Sequence, residues 1–265
     1  MPDPAPPSAT PPQTVTACLL IIGNEILSGR TQDANLAYLA KGLNEVGVRL
    51  REARVIPDVP ETIIATVNEV RAQYDYVFTT GGIGPTHDDI TAECVARAFG
   101  VELVLDPEAR RRLEVRYRSM GGTMELNEAR LRMAHVPEGA SLIDNAVSAA
   151  PGFRIGNVFV MAGVPVIAQS MFDSVKLTLI GGARILSRSI LCKLAEGAIA
   201  KDLGDIQSEY PSVDIGSYPF WSRGGGFGVN LVLRSADPDA LDRATAAVAG
   251  MVTRLGGEPV EGEIS

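Results

Sequence analysis

Unbroken apolar runs alternate along the first part of the chain with stretches whose apolar positions recur every three to four residues. Ala17-Cys18-Leu19-Leu20-Ile21-Ile22 is a continuous run of strand length ending at Gly23, the pattern of a parallel strand buried on both faces. Leu36, Leu39, Ala40, Leu43 and Val46 form one stripe of a helix that stops at Gly47. Val48–Ile56 predicts a second strand, Ile63, Ile64, Val67 and Val70 a second helix, and Tyr76–Thr80 a third strand. Cys94, Val95, Ala98 and Phe99 are spaced as the apolar face of a further helix. Strand and helix alternating with no tight hairpin signal predict an α/β fold, a mostly parallel sheet covered by helices on both faces.

The middle of the chain is less regular. Glu108–Arg118 predicts a charged helix, Leu126–Met133 a shorter one, Val158–Met161 a buried strand and Val166–Leu179 a helix. Gly181-Gly182 then marks a boundary, after which the texture changes. Leu186–Leu194 predicts a strand, Gly197–Tyr210 a helix, Val213–Phe220 a strand, Gly224-Gly225-Gly226 a turn, Phe227–Arg234 an alternating strand and Leu241–Leu255 a helix. The reading is a proline-rich disordered tail over 1–14, an α/β domain over 15–182, a small α+β domain over 183–258 and a tail over 259–265. No internal repeat is present.

Bulk properties narrow the function classes. Apolar residues make up 46% of the 265 and charged ones 21%, ordinary for a soluble protein, and cytoplasmic placement is expected. The net charge of −8 argues against a general nucleic-acid binder, which needs a basic face. Cys18, Cys94 and Cys192 are far apart with no CxxC, so a disulfide framework or zinc site is not expected. His87 and His135 are too few for a histidine-rich metal site. No apolar run approaches the about 20 residues of a membrane span, and the start of the chain lacks the basic and apolar parts of a signal peptide.

The densest chemistry lies in Thr79-Thr80-Gly81-Gly82-Ile83-Gly84-Pro85-Thr86-His87-Asp88-Asp89-Ile90-Thr91, a strand running through glycines into a helix. That is how α/β proteins build phosphate sites. Neither GxxxxGK[ST] nor GxGxxG occurs, so an ATPase or a dinucleotide oxidoreductase is not supported. The three strand ends at Gly23-Asn24-Glu25, Pro57-Asp58 and Gly81–Asp89 converge where ligands bind in open α/β sheets. Their carboxylates, Glu25, Asp58, Asp88 and Asp89, sit beside a phosphate cradle, which implies a bridging hard cation such as Mg²⁺. Plainer readings stand beside this one. Asp88 or Asp89 could be the N-cap of the following helix, Glu25 a solvated turn residue, and Asp58 the start of a helix.

These residues carry a resemblance. The run Thr80–Thr91 resembles the signature of the molybdopterin-binding (MoCF, MoaB/Mog-like) superfamily, above all its CinA N-terminal branch and the MoCF-like domain of eukaryotic FAD synthase. Ile22-Gly23-Asn24-Glu25-Ile26-Leu27-Ser28-Gly29 is similar to the family's first strand and loop, and Asp33-Ala34-Asn35 to the family's next segment. Asn127-Glu128-Ala129-Arg130, Asn145 and Ala150-Pro151-Gly152-Phe153 are similar to later landmarks. The likeness covers about 16–180, and the α+β unit is similar to the KH-type domain found after this one in CinA.

The resemblance implies a three-layer αβα domain with a site for a phosphate-bearing nucleotide or pterin. It implies a divalent-metal-dependent pyrophosphatase of the ADP-ribose or FAD type, with Mg, Mn or Co as cofactor and K as a further candidate. Asp58, Asp88 and Asp89 become the catalytic and metal-binding residues. Gly23, Glu25, Asn35, Gly81, Gly82, Gly84, Thr86, Asn127 and Gly163 become the substrate-binding ones. A homodimer or homotrimer is implied. Full-length CinA continues into a nicotinamide-mononucleotide deamidase domain, so that activity is not expected here. The late loop Met161-Ala162-Gly163-Val164-Pro165 lacks the lysine of some relatives, which removes a cation for molybdopterin phosphate. The rival readings are a non-catalytic molybdopterin or nucleotide binder and a regulatory module with a vestigial cleft.

Other residues weigh less. His87 could be a general acid or a structural donor, and His135 a core or capping residue. Trp221 reads as an oligomer contact or hairpin anchor. Arg110-Arg111-Arg112 reads as a solvated helix face, with contact to a substrate phosphate as the other reading.

Overall fold

The computed structural model describes residues 14–119, 126–221 and 226–262, and the chain divides between Gly182 and Ala183 into two units. The first opens with β1 (Val15–Ile22), α1 (Asn24–Leu27), α2 (Asn35–Glu45), β2 (Val48–Ile56), α3 (Pro60–Gln73), β3 (Tyr76–Thr80) and α4 (Thr91–Phe99). It continues through β4 (Leu103–Leu105), α5 (Pro107–Ser119), α6 (Glu128–Leu131), β5 (His135–Pro137), β6 (Ser141–Ile143), β7 (Gly152–Ile155), β8 (Val158–Met161) and α7 (Pro165–Lys176).

The main sheet runs β2-β1-β3-β8-β7-β6. Its first four strands are parallel, whereas β8, β7 and β6 are antiparallel to their neighbours in turn. The period-two alternation of β1 splits its residues between two helix layers. Cys18, Leu20 and Ile22 pack with Ile63, Val67, Val70, Cys94 and Val95 of α3 and α4. Ala17, Leu19 and Ile21 pack with Leu39, Leu43 and Phe172 of α2 and α7. On that second side Phe78 stacks on Phe159 at 5.0 Å between centroids and meets Phe172 edge-on at 5.8 Å, geometries aromatic rings favour. The αβα architecture is therefore the one the sequence predicts.

β2 is an edge of this sheet. Its Arg54 bonds Glu52 at 2.6 Å and Glu69 of α3 at 2.7 Å, and this guanidinium holds both carboxyls below the usual range.

Two expectations need correction. The first unit does contain hairpins, since β7 turns into β8 over Gly156-Asn157, with Gly156 at φ 56°. The helix expected over Leu126–Met133 is only the single turn of α6, followed by a 3₁₀ turn over Arg132–Ala134.

The second unit comprises β9 (Leu186–Cys192), α8 (Glu196–Glu209), β10 (Asp214–Trp221), β11 (Phe227–Ser235), α9 (Pro238–Arg254) and β12 (Val260–Glu261). Its antiparallel sheet is ordered β10-β11-β9-β12. Ile190, Val229, Leu231 and Leu233 pack on Ile199 and Leu203 of α8 and Leu241, Val248 and Met251 of α9. Part of the expected 259–265 tail is thus a strand: Val260 and Glu261 pair with Leu191 and Ile190. The expected N-terminal tail (all but residue 14) and most of the Gly224–Gly226 turn lie outside the described residues.

Candidate ligand site

Register decides where the loops leave the sheet. Ile22 lies opposite Ile56, Ile21 opposite Thr80, and Thr80 opposite Met161, so β2, β1, β3 and β8 end at one level. The chain moves from β1 to β2 on one side and returns to β3 on the other, the switch point at which α/β sheets bind ligands. A cavity of about 610 Å³ opens there, lined by Glu25, Gly81, Gly82, Gly84, Asp89 and Gly163.

The glycines have physical reasons. Gly81 has φ 104° and Gly82 φ 68°, where side chains are strained. A Cβ on Gly81 would fall on the Ile22 carbonyl oxygen, and one on Gly82 on the Thr91 hydroxyl. The Thr91 N–H donates to the Gly82 carbonyl at 2.9 Å, tying the loop to the first turn of α4.

Neither aspartate caps α4, whose N-cap is Ile90 with no side-chain bond. Asp89 instead accepts from the Thr86 N–H at 2.8 Å and the Thr86 hydroxyl at 2.5 Å. This holds its carboxylate in the cavity wall. Asp88 is exposed. Its carboxyl is held below the usual range first by the nearby Thr86 side chain and then by its own N–H. Asp58 does not cap α3 either, where Val59 is the N-cap. It accepts from the Asn24 N–H at 2.9 Å and so clamps the loop after β1 to the loop after β2. Asp58 and Asp88 are not among the described residues lining the cavity.

The other expected residues divide between wall and frame. Gly23 donates its N–H to the Ile56 carbonyl at 3.1 Å. Asn35 is buried at 3% exposure and donates to the Gly163 carbonyl at 2.9 Å, fixing the loop after β8. Asn127 caps α6, accepting from the Arg130 N–H at 3.0 Å, and is not among the described lining residues. His87 is exposed in the loop and likewise outside the wall.

Further wall residues carry no site role in the sequence reading: Tyr117 of α5, Met133, Ser148, Ile167 and Met171. Tyr117 lies on a helix whose pattern reads as charged surface, so nothing local marks it. His135 has its Nδ1 3.0 Å from the Leu131 carbonyl. That leaves Nε2 for the small concavity of about 230 Å³ it shares with Gly84 and Asp89.

Glu25 and Asp89 give the described wall a formal charge of −2, with no lysine or arginine to offset it. An anionic ligand there needs a cation. Hard carboxylate oxygens fit Mg²⁺, which takes one or two carboxylates and completes its shell from phosphates and water. Among the described residues no group of three His, Cys, Asp or Glu is arranged to hold a metal ion, so the expected trio of Asp58, Asp88 and Asp89 is not preassembled.

Sheet order, glycine loop and cavity together define an αβα domain with a ligand cavity at its switch point. The chain belongs to the family described as probable molybdopterin binding domain, which matches residues 18–181. Residues 184–256 match the FAD synthase middle domain. A protein of Thermococcus kodakarensis is 33% identical over 248 residues, 89% of this chain and 97% of the relative. A probable FAD synthase of Caenorhabditis elegans is 35% identical over 233 residues, 78% of this chain but 44% of the relative, so the match spans less than half of that enzyme. The crystal structure of the protein CinA, of unknown function, from Thermoplasma acidophilum aligns with TM-score 0.57 and 31% identity. It covers 62% of this chain and 98% of that one. The chain is thus a CinA-like member of the molybdopterin-binding fold with an FAD-synthase-like relative. No helix among the described residues is long and apolar enough to cross a membrane.

Proposed function

We propose that this chain is a divalent-metal-dependent nucleotide pyrophosphatase acting on a dinucleotide-like substrate such as ADP-ribose or FAD. The observation that carries this is the pairing of a glycine loop with two wall carboxylates, Glu25 and Asp89, and no wall cation among the described residues. Backbone N–H groups of Gly82–Gly84 hold the pyrophosphate oxygens, the Gly81 N–H being spent on the Met161 carbonyl. Asp89, oriented by Thr86, and Glu25 would hold the metal ion, with Asp58 and Asp88 on the flanking loops as further oxygen donors. A divalent ion (Mg, Mn or Co) would supply charge neutralisation and a bound water of lowered pKa, with K as a further candidate cofactor beside it. Hydrolysis joins the water oxygen to one phosphorus, and the bridging oxygen leaves with the other phosphate, giving two phosphomonoesters. Glu25, the exposed member of the wall pair, passes the released proton to solvent. The apolar wall of Met133, Ile167 and Met171 accommodates the flat ring of the base or flavin.

That apolar wall also favours a second reading, a non-catalytic binder of molybdopterin or a nucleotide. One assay separates the two: AMP release from ADP-ribose and from FAD with each metal, against a chelated control. Metal-dependent release is expected, reduced about 10²–10³-fold in Asp89→Asn with an unchanged circular dichroism spectrum. Equal turnover by that variant sinks the assignment, and ligand binding without product moves it to the second reading. The chain is further expected to form a homodimer or homotrimer.

A further inference from the structure

A second concavity, of about 450 Å³, adjoins the glycine-loop cavity and has the opposite charge. It is lined by Arg111, Arg112 and Arg116 of α5, together with Asp144 and Ala149. Asn145 lines both spaces, so they meet at the loop after β6. Three arginines against Asp144 of the lining and Glu108, which pairs with Arg111 and Arg112, leave a formal charge of +1, next to the −2 of the cavity.

Arg112 and Arg116 are one turn apart on one face of α5, and Arg111, from the adjoining face, also lines the concavity. Their carboxylate partners do not use them up. Arg111 bonds Glu108, and Arg112 bonds Glu108 and Asp144. Arg116 donates at 3.3 Å to the Val147 carbonyl, and among the described residues it has no carboxylate partner. A guanidinium carries five N–H donors in a fork that matches phosphate.

The wall between the two spaces is held in an unusual conformation. Asn145 accepts from the N–H groups of Val147 and Ser148 at 3.0 and 3.2 Å and donates to the Ser148 hydroxyl and the Ala150 carbonyl. Ala149 is the one described non-glycine residue at positive φ, 67°. Strain of this kind persists where surroundings over-determine it, most often at ligand sites.

We infer that the arginine concavity is a subsite for a phosphomonoester on the ligand whose pyrophosphate occupies the glycine loop. The ligand class is then a dinucleotide bearing an additional ribose phosphate. This rests on the nucleotide reading of the main cavity and names the substrate more closely.

The test titrates the full chain calorimetrically, in the presence of Mg²⁺, with 2′-phospho-ADP-ribose and with ADP-ribose, and separately follows AMP release from ADP-ribose. Charge-assisted bonds to phosphate should make the phosphorylated ligand bind about 10-fold tighter, equivalent to about 1.4 kcal/mol. Arg116→Gln, at an exposed position, should erase that preference and leave the ADP-ribose Kd unchanged, and Arg112→Gln should reduce it. Equal affinity for the two ligands, a preference that survives Arg116→Gln, or no binding of either overturns the subsite. A preference without AMP release supports the subsite and overturns only the pyrophosphatase reading. AMP release with equal affinities does the reverse.

Discussion

Gly81 shows how closely one residue constrains the site. Its φ of 104° and the Ile22 carbonyl behind it exclude any side chain. Gly81→Ala should destabilise the protein by about 1–3 kcal/mol and weaken nucleotide binding, read as a lowered Tm and a raised Kd. An unchanged Tm would mean that the loop relaxes freely. Much at this scale was legible in the sequence, because glycines between a buried strand and a helix have few other uses. What Asp58 and Asp89 do was not. The plain reading of Asp89 as a helix cap fails because it bonds Thr86 within its own loop, and Asp58, at the entry to α3, also clamps Asn24 of another loop, a bond that leaves no trace in spacing. The cysteines repeat the lesson in milder form. Burial pushes the Cys18 thiol up to about 12 and Cys94 up to about 11, which suits core residues rather than nucleophiles.

Among the elements, the loop after β6 is the most exacting. Asn145→Ala removes four hydrogen bonds and leaves the Val147 and Ser148 N–H groups without their acceptor. The expected cost is about 1–3 kcal/mol, seen as a lower Tm in thermal denaturation together with weaker ligand binding. Asn145→Asp should retain the acceptor oxygen and recover part of the loss. A Tm within error of the parent for Asn145→Ala would show that the loop is held by something else. The strands β1, β2 and β3 were legible because each is a long run with a clear end. β6 and β7 were missed because three- and four-residue strands fall below any periodicity. Yet Gly156-Asn157 between two apolar stretches is a recognised hairpin signal, so the turn from β7 to β8 was available to be read.

The whole molecule has separate cores on either side of Gly182. Phe78, Phe159 and Phe172 belong to the first, Leu231, Leu241 and Val248 to the second. Units with their own cores fold as units, so scanning calorimetry should resolve two transitions, and nucleotide should raise only the one belonging to the glycine-loop unit. A single transition shifted as a whole would show the two to be coupled. Composition and glycine placement made this division readable. The last strand, β12, was not, because two residues after a helix carry no pattern.

The outermost strand of the main sheet has one more consequence. β2 carries Arg49, Arg51, Glu52 and Arg54 along its length, and exposed strand edges recruit other chains unless charge keeps them apart. Acidification would protonate Glu52 and leave three arginines on that edge without a negative neighbour on their own strand, so the edge repels copies of itself more strongly rather than less. Aggregation of partly unfolded protein should therefore begin at the opposite rim of that sheet, where β6 presents Ser141, Leu142 and Ile143 with no charge to deter a neighbour.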